Sequence, residues 1–485
     1  MISKIKKFIS ENKLEIIVIS AILLTALAIR LYKIDGYLTF LGDEGRDVRV
    51  VRDLITRFDL IFIGPQTSIG NMYLGPLYYY MMAPFLWIAG LSPVGPAVMV
   101  AFISTLTIGL TWWVTRSWFT PFAGIIAALF FCFSPVSIIY SRASWNPNPM
   151  PLFALLACWS IYKVWADKNF KYIILTGISL AFALQMHYLG LLLIPILGLF
   201  WTLSLINTNL KKNLLSKTLI SLVTFLLLMS PLALFDLKHN GMNFNAFKTF
   251  FTDRQTTINI NPANSNRFFD ILELFNQELI LGRQEFFLPV AVILFLLATL
   301  FLFGKIKNQK AYLLLLAWLG IGLTGLGLYK QHVYAHYFGF LFPVAYIFLG
   351  LLTSKIHKGL SLVLIAFLLF INLSNLPFYE PNHQLQRTEE VTDLIIKESN
   401  NQQFNFALIA KQNYDESYRY FLENKNADFV RGEEKISDQL FVVCEDGDKC
   451  HPEGDPAYQV AIFGPATTLD QWQVDHIKVY KLIHK

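Results

Sequence analysis

Apolar runs long enough to cross a lipid bilayer recur along the first 376 residues of this 485-residue chain. A helix rises about 1.5 Å per residue, so roughly 20 apolar residues are needed to cross the hydrocarbon core. Only 15% of the residues are charged, against about 25% in soluble domains. The pattern predicts a polytopic α-helical membrane protein with about eleven transmembrane helices. We place them near residues 14–31, 94–115, 121–140, 150–166, 172–187, 188–206, 214–235, 286–304, 311–328, 336–352 and 359–376.

One further apolar segment, Leu74–Gly90, is a poorer candidate for a span. It contains Gly75, Pro76 and Pro84, and proline inside a helix removes a hydrogen bond and clashes with the preceding turn. We therefore expect this segment to lie at the membrane surface or to dip in partly.

The short loops differ in their positive charge. One alternating set carries most of the lysine and arginine residues, whereas the other set has only Arg142 and Lys330. The positive-inside rule places the first set in the cytoplasm. We therefore expect a multi-pass protein of the plasma (inner) membrane, with its N-terminus inside and its C-terminal part outside. The basic loop residues are Lys4, Lys6, Lys7, Lys13, Arg116, Lys168, Lys171, Lys211, Lys212, Lys217, Lys305, Lys307, Lys310, Lys355 and Lys358.

Two regions are predicted. Residues 1–376 form a transmembrane domain with long outside loops at 32–93 and 236–285, and residues 377–485 form a small exocytoplasmic α/β domain. In the latter we expect helices at 386–399 and 413–424, and strands at 404–410, 439–444, 458–463 and 477–483. Cys444 and Cys450 form either a disulfide or two free thiols. The net charge of +6 is spread over short loops, which gives nucleic-acid binding no support.

An acidic pair, Asp43 and Glu44, follows the first predicted span in the segment FLGDEGRD, residues 40–47. Charge within reach of a bilayer costs about 3 kcal/mol or more, so such a cluster is a candidate functional site. An aspartate held close to a hydroxyl group can act as its general base. The alternative is a solvated loop carboxylate, with Asp43 capping a helix from Gly45 to Phe58.

Short motifs elsewhere in the membrane part have a recognisable order. They are RLY at 30–32, FLGDE at 40–44, GPLYYY at 75–80, Arg116 before Trp118-Phe119, YSR at 140–142, and HYF at 336–338 leading to Phe342-Pro343. Together they resemble the GT-C glycosyltransferases, most closely the branch of protein O-mannosyltransferases and lipid A aminoarabinose transferases. The resemblance covers residues 1–376.

The resemblance implies an inverting transfer of a sugar from a polyprenyl-phosphate carrier to an acceptor. In that family the first residue of the acidic pair is the catalytic base, which maps onto Asp43, and Glu44 shapes the site or binds a cation. A phosphate leaving group needs little protonation, so a general acid is dispensable, in contrast to the two carboxylates of glycoside hydrolysis. The departing phosphate does need cationic support.

Cationic side chains of the outside loops are the candidates for holding that lipid phosphate. Arginine can bind two phosphate oxygens at once. Each has an ordinary alternative, since Arg142 can extend to the lipid interface and Arg283 can pair with Glu285. Two histidines four residues apart without a third ligand favour phosphate contact over a metal site. The candidates are Arg46, Arg142, Arg283, Lys330, His332 and His336.

Contacts to the sugar or acceptor are assigned to Tyr78, Asn146, Gln185 and His187. An interfacial aromatic belt is the stronger alternative for Tyr78, and a structural hydrogen bond is the alternative for His187. Some relatives carry a second acidic residue in the loop after span three, where this chain has Asn146 and Asn148. No metal-ligating residues are predicted; a divalent cation is the one candidate cofactor.

The predicted function is therefore an integral-membrane glycosyltransferase that acts at the outer face on a lipid, polysaccharide or protein acceptor. The alternative is a lipid or sugar transporter or flippase, which would place ionisable residues at mid-membrane and broken helices in paired halves. In this chain the charges gather at one face and no two halves match. A non-catalytic scaffold would give no reason for polar loops to converge beside Asp43.

Overall fold

The computed structural model describes residues 2–67, 72–252, 266–285, 306–445 and 450–485, with the single positions 292, 298, 299 and 301. Up to residue 376 the described chain is helical. Two 3₁₀ segments, Tyr188–Leu192 and Ala335–Leu341, and one π-helical turn, Asn276–Ile280, adjoin the α-helices. The α-helices of this part are Ile2–Glu11, Lys13–Leu31, Ile34–Tyr37, Gly42–Arg57, Leu77–Ile88, Val94–Trp118, Pro121–Phe133, Pro135–Tyr140, Met150–Trp165, Tyr172–Met186, Leu193–Ile206, Lys211–Lys238, Met242–Thr252, Asn266–Phe275, Gln309–Leu328, Phe342–Thr353 and Lys358–Ser374.

The length and composition of these helices indicate which of them could span a membrane. In the described ranges, six helical stretches are long and apolar enough: Lys13–Leu31, Val94–Trp118, Tyr188–Ile206, Lys211–Lys238, Gln309–Leu328 and Ala335–Thr353. Shorter apolar helices occupy the predicted spans that begin at residues 121, 150, 172 and 359. The predicted span 286–304 lies almost wholly outside the described residues. The count of about eleven spans therefore stays a prediction.

The doubtful segment Leu74–Gly90 contains a helix of 12 residues, Leu77–Ile88, with Pro84 inside it. At 1.5 Å per residue this helix is about 18 Å long, too short for a hydrocarbon core of about 30 Å. It packs against the helices Gly42–Arg57 and Val94–Trp118. Its buried tyrosines thereby come to lie beside the acidic residues that follow the first span.

A buried arginine ties the end of the first span to its neighbours. Arg30 is fully buried, and its guanidinium donates hydrogen bonds to the carbonyl oxygens of Phe131 and Cys132 and to Ser137 Oγ, at 3.0–3.3 Å. Pro135 has no N–H and so leaves the Phe131 carbonyl without its helical partner. Arg30 supplies donors where the proline interrupts the helix, which satisfies both the charge and the exposed carbonyl groups.

The C-terminal region, residues 377–485, contains a four-stranded sheet in the order β1-β2-β4-β3. The first two strands are parallel and the other pairs are antiparallel. A disulfide joins Cys444, the last residue of β2, to Cys450. The domain boundary at residue 377 stays a prediction. The elements are the helices Gln384–Glu398, Glu416–Asn424 and Tyr458–Phe463 and the strands β1 (Asn405–Ile409), β2 (Gln439–Cys444), β3 (Ala466–Val474) and β4 (Ile477–His484).

The prediction of a strand at 458–463 is wrong, because this segment is a short helix. Its buried side chains, Val460 and Phe463, are three residues apart, which is helical spacing. The strand β3 was missed. It pairs only with β4 and most of its side chains are partly or fully exposed, so the sequence carries no alternation of apolar and polar residues there.

Candidate active site

The acidic pair lies at the start of the helix Gly42–Arg57, which we call the Asp43 helix. Glu44 begins the helix by accepting a hydrogen bond from the backbone N–H of Leu41, at 3.0 Å. Asn413 of the C-terminal region accepts another from the N–H of Gly42, at 2.9 Å. Both contacts satisfy donors that a helix start leaves without partners.

Three charged residues of this helix, Asp43, Arg46 and Asp47, are connected. The spacing of three and four residues places them on one face. Arg46 Nη1 donates to Asp43 Oδ1 at 2.9 Å, and Nε and Nη2 donate to Asp47 Oδ1 at 2.9 and 2.7 Å. Two tyrosines complete the network: the Tyr79 hydroxyl donates to Asp47 Oδ1 at 2.9 Å, and the Tyr414 hydroxyl donates to Asp43 Oδ1 at 2.6 Å.

The three carboxylates in the first two turns of the helix, Asp43, Glu44 and Asp47, differ in their environment. Asp47 is fully buried, and burial outweighs the attraction of Arg46 and raises the pKa of Asp47 to about 6. Burial likewise raises the pKa of Glu44 to about 8. The Asp43 side chain, by contrast, is 43% exposed. Burial by itself would lower the pKa of Arg46. The attraction of nearby acidic groups, above all Asp47, outweighs burial, so the pKa of Arg46 lies above its ordinary value.

A cavity of about 410 Å³ opens beside Asp43 and Arg46. Asn146 also lines it, with its amide held by the carbonyl oxygen of Met186 at 2.6 Å. The opposite wall is aromatic, and its rings pack closely: His336 lies 4.4 Å from Trp145 and 5.9 Å from His187, between ring centroids. The aromatic and histidine residues of the wall are Tyr140, Trp145, His187, Tyr188, Tyr334, His336 and Tyr337.

Five of the predicted site residues line this one cavity: Asp43, Arg46, Asn146, His187 and His336. They come from the Asp43 helix, from the loops after residues 140 and 186, and from the 3₁₀ segment Ala335–Leu341. Sequence separations of up to 293 residues thus converge on one space, as 336 − 43 shows. His187 also accepts a hydrogen bond from the N–H of Leu189 at 3.2 Å, which fixes its ring at the cavity edge.

Two predicted contact residues, Tyr78 and Gln185, hold structure behind the cavity. The Tyr78 hydroxyl is fully buried against Ser144 Oγ at 2.7 Å. Gln185 accepts from the N–H of Leu77 at 3.1 Å, and it packs so closely on Gly75 that a Cβ there would lie 2.4 Å from its Oε1. These contacts fix the segment that leads into Leu77–Ile88 and therefore the position of Tyr79.

Arg142 is buried and lies apart from the cavity lining. Its guanidinium donates to the carbonyl oxygens of Pro377 at 2.9 Å and Ile29 at 3.0 Å. It also stacks on the rings of Tyr37 and Phe378, at 4.4 and 5.1 Å from their centroids. These contacts hold the end of the first span against the start of the C-terminal region.

The remaining cationic candidates also lie outside the lining of this cavity. Arg283 is 53% exposed in its side chain, 3.4 Å from Glu278, and lines a second cavity of about 370 Å³. His332 is exposed and its ring lies against Tyr334 at 4.5 Å. Lys330 is half-buried in a segment that Arg267 holds by hydrogen bonds to the carbonyl oxygens on either side of it.

Sequence reasoning missed Asp47, Tyr79 and Tyr414. For Asp47 a signal existed, because it stands four residues after Asp43 on the predicted helix. Tyr79 belongs to a run of three tyrosines, and only the packing shows which of them reaches the acid. Nothing near Tyr414 in the sequence relates it to a residue 371 positions earlier.

No group of three histidine, cysteine, aspartate or glutamate side chains suited to a metal ion occurs in the part of the chain that the structure describes. In the cavity, Asp43 Oδ1 already accepts from Arg46. The cation beside the candidate base is thus a guanidinium group of this chain.

Known proteins share sequence or fold with this chain. A family model described as dolichyl-phosphate-mannose-protein mannosyltransferase matches residues 74–235. No curated protein sequence matches the chain. Among solved structures, ArnT from Cupriavidus metallidurans bound to undecaprenyl phosphate is similar with a TM-score of 0.65 at 12% identity, covering 96% of this chain and 97% of that one. The chain therefore has the fold of the GT-C membrane glycosyltransferases, and its residues 74–235 match a mannosyltransferase family model.

Two further solved structures share the fold with lower TM-scores. The archaeal oligosaccharyltransferase AglB from Archaeoglobus fulgidus, in complex with an inhibitory peptide and a dolichol-phosphate, has a TM-score of 0.52 at 12% identity, over 89% of this chain and 69% of that one. A structure of the Archaeoglobus fulgidus oligosaccharyltransferase with Zn and sulfate has a TM-score of 0.52 at 12% identity over 85% of this chain and 62% of that one. The similarity of fold thus extends well beyond residues 74–235.

Proposed function

We propose that this protein transfers a sugar, with inversion, from a polyprenyl-phosphate carrier to an acceptor at the outer face of the membrane. The observation that carries the proposal is a cavity in a GT-C fold that presents a carboxylate, Asp43, beside a guanidinium, Arg46. The similar ArnT structure holds undecaprenyl phosphate and the similar AglB structure a dolichol-phosphate, which supports a lipid-linked donor for this chain.

Asp43 is the proposed general base. Its side chain is more exposed than those of Glu44 and Asp47, and it lines the cavity. In the proposed step the Asp43 carboxylate takes the proton of the acceptor hydroxyl or amine as that atom attacks the anomeric carbon. The bond from the anomeric carbon to the phosphate oxygen breaks, and the phosphate leaves as an anion that needs no proton from the protein.

Arg46 is the proposed partner of the departing phosphate. Asp47, which also accepts a hydrogen bond from Tyr79, holds Arg46 from the buried side, so the position of Arg46 does not depend on the ligand. A preorganised guanidinium stabilises charge that develops on the leaving group without further reorganisation. His336 and His187, with the neighbouring rings, are proposed to contact the sugar or the phosphate, and Asn146 the sugar.

Glu44 is proposed to have a supporting role. Its side chain is 93% buried and caps the N-terminus of the Asp43 helix, so it shapes the site instead of contacting substrate. Tyr78 and Gln185 support the cavity in the same way. The other cationic candidates lie outside the lining of the cavity, so we propose that they contact the sugar donor only after their loops rearrange. These residues are Arg142, Arg283, Lys330 and His332.

The orientation stays part of the proposal. The basic loops support a cytoplasmic N-terminus and a plasma-membrane location. Arg116, one of the basic residues behind this orientation, is paired with Glu15 at 2.8 Å. The disulfide between Cys444 and Cys450 supports an oxidising compartment for the C-terminal region. A divalent cation remains the one candidate cofactor, and the proposed step does not involve it, because Arg46 supplies the positive charge.

The test is sugar transfer from radiolabelled polyprenyl-phosphate sugars in membranes that contain either the wild type or Asp43→Asn. We expect the wild type to transfer one sugar and the variant to lose transfer by roughly 100-fold or more, within the range of general-base effects. Asp35→Asn is a matched control, because Asp35 also lies outside the first span but contacts Gln386 instead of the cavity. Undiminished transfer by a folded Asp43→Asn variant would remove Asp43 as the base.

A further inference from the structure

The candidate base receives a hydrogen bond from the far end of the chain. The Tyr414 hydroxyl donates to Asp43 Oδ1 at 2.6 Å, and Arg46 Nη1 donates to the same oxygen at 2.9 Å. Arg46 Nη1 also lies 3.2 Å from the Tyr414 hydroxyl oxygen. One carboxylate oxygen, one guanidinium nitrogen and one phenol oxygen therefore form a closed triangle, in which Asp43 and Arg46 also line the cavity.

We propose that Tyr414 is a positioning residue for the base, so that the C-terminal region takes part in transfer by orienting the Asp43 carboxylate. The inference rests on the proposed function, because it assigns a role relative to the base in that reaction. It does not require Tyr414 to contact substrate.

The tyrosine is itself held in place. Asn413 Oδ1 accepts from the N–H groups of Gly42 and Tyr414, each at 2.9 Å, and Asn413 Nδ2 donates to Glu445 at 2.9 Å. The ring lies directly on Gly42, where a Cβ would come within 2.4 Å of it. A larger residue at position 42 would displace the ring, so the glycine permits the contact between the phenol and Asp43.

The two donors act on one oxygen of Asp43 and leave the other available. Among the described residues, Oδ2 of Asp43 accepts no hydrogen bond, whereas Oδ1 accepts two. Two fixed donors on Oδ1 restrict rotation of a carboxylate that is otherwise 43% exposed. The acceptor hydroxyl or amine then meets a preoriented Oδ2, and preorientation of a reacting group lowers the barrier to the chemical step.

The effect should therefore fall on catalysis and spare donor binding. The phenol lies beside the base, and the proposed phosphate contact Arg46 keeps its two bonds to Asp47 when the Tyr414 hydroxyl is removed. A misoriented carboxylate lowers kcat, and donor affinity is set by the rest of the cavity. A role limited to docking the C-terminal region would instead lower the amount of folded protein and leave kcat per folded molecule unchanged.

The experiment compares kcat and donor KM for the purified full-length wild type, Tyr414→Phe, Tyr420→Phe and Asp43→Asn, with folded protein quantified by size-exclusion chromatography and thermal melting. Tyr420→Phe is the matched control, because its hydroxyl also joins the C-terminal region to the membrane part, through the Leu91 carbonyl oxygen, and lies outside the cavity lining. We expect Tyr414→Phe to lower kcat roughly 10- to 100-fold with donor KM within about twofold, and Tyr420→Phe to keep wild-type kcat.

Equal kcat in Tyr414→Phe and wild type, with Asp43→Asn inactive, would overturn the inference and leave the proposed function standing. Equal losses of kcat in Tyr414→Phe and Tyr420→Phe would also overturn it, because the loss would then not depend on the contact with Asp43. Wild-type transfer by Asp43→Asn would instead refute the proposed base, and with it the premise of the inference.

Discussion

Replacement of Asp47 by asparagine tests how the protein holds Arg46 beside the base. Asp47 is fully buried and accepts two hydrogen bonds from Arg46 and one from Tyr79 through Oδ1; within the described part of the chain its Oδ2 has no hydrogen-bond partner. Its pKa is raised to about 6, mainly by burial. A proton can therefore bind at Oδ2 without breaking a bond at Oδ1, and it removes the charge that holds Arg46.

The magnitude follows from this arrangement. One pH unit below the pKa of about 6, roughly nine tenths of Asp47 is neutral, so kcat/KM of the wild type should fall about tenfold per unit below pH 6. In Asp47→Asn the charge is absent at every pH. A hydrogen bond to a charged group is worth about 1.5–3 kcal/mol, so we expect kcat/KM to be roughly 10- to 100-fold lower near pH 7 and flat between pH 5 and 7.

Loss of stability cannot produce the same acid limb at this residue. The pKa of Asp47 is higher in the folded protein than the ordinary value of 3.8, so the native state binds more protons than the unfolded state between pH 3.8 and about 6. The contribution of Asp47 to stability is then fully present at low pH and is lost as the pH rises through this window. An acid loss of activity at Asp47 therefore reports on the site.

The assay is transfer from a radiolabelled polyprenyl-phosphate sugar to acceptor at pH 4.5–8.5, for wild type and Asp47→Asn in the same detergent, normalised to folded protein. A wild-type profile that is flat through pH 6 would refute the reasoning. So would an Asp47→Asn variant that keeps the same acid limb, since another group would then be responsible for it.

Two further predictions concern stability. We expect Gly45→Ala to lower Tm and to make the C-terminal region more sensitive to protease, because a Cβ would lie 2.3 Å from backbone atoms of Ser417 and the cost of overpacking, about 1–3 kcal/mol, exceeds the helix-propensity gain of about 1 kcal/mol. Gly109→Ala is the matched control, because the nearest atom to a Cβ there is a Leu23 side-chain carbon at 3.5 Å. Equal Tm changes in the two variants would contradict the argument. The pKa of Glu44 is raised from 4.5 to about 8, so the contribution of Glu44 to stability is present below pH 4.5 and is lost as the pH rises to 8. The Tm of Glu44→Gln relative to that of the wild type should therefore rise between pH 6 and 9. Parallel Tm curves for the two proteins would argue against this role of Glu44.

The sequence located the apolar helices and the acidic pair because both are local signals. Runs of apolar residues and a carboxylate pair directly after the first span are visible without any tertiary contact. The helix Pro121–Phe133 and its continuation Pro135–Tyr140 illustrate the limit. Both helices lie within the range 121–140 predicted as one span, but the break at Pro135 and its satisfaction by Arg30 depend on a residue about 100 positions earlier.

The roles of the cationic candidates were harder to predict for the same reason. A sequence shows that Arg142 is a cation near the outer face, but not that the carbonyl oxygens of Ile29 and Pro377 lie within 3.0 Å of it. Arg46 was found because it is three residues from Asp43. Tyr414 was not found, because its proximity to Asp43 arises from packing between regions 371 residues apart.

The Asp43 helix explains why those two regions meet at the site. The face that carries Asp43, Arg46 and Asp47 lies toward the cavity and Tyr79. A second face presents Arg49 and Arg52 to acidic residues of the helix Glu416–Asn424, with N···O distances of 2.7 Å to Glu416 and Glu423.

Gly42 and Gly45 bring that second face into direct contact with Tyr414 and Ser417. One 16-residue helix is therefore both the proposed catalytic element and the docking surface of the C-terminal region. A shift of the docked region by even 1 Å would move Tyr414 relative to Asp43 and change the geometry of the base, and misplacement of that size can cost about 100-fold in rate. The ion pairs far from the cavity thus bear on catalysis by fixing the position of the phenol.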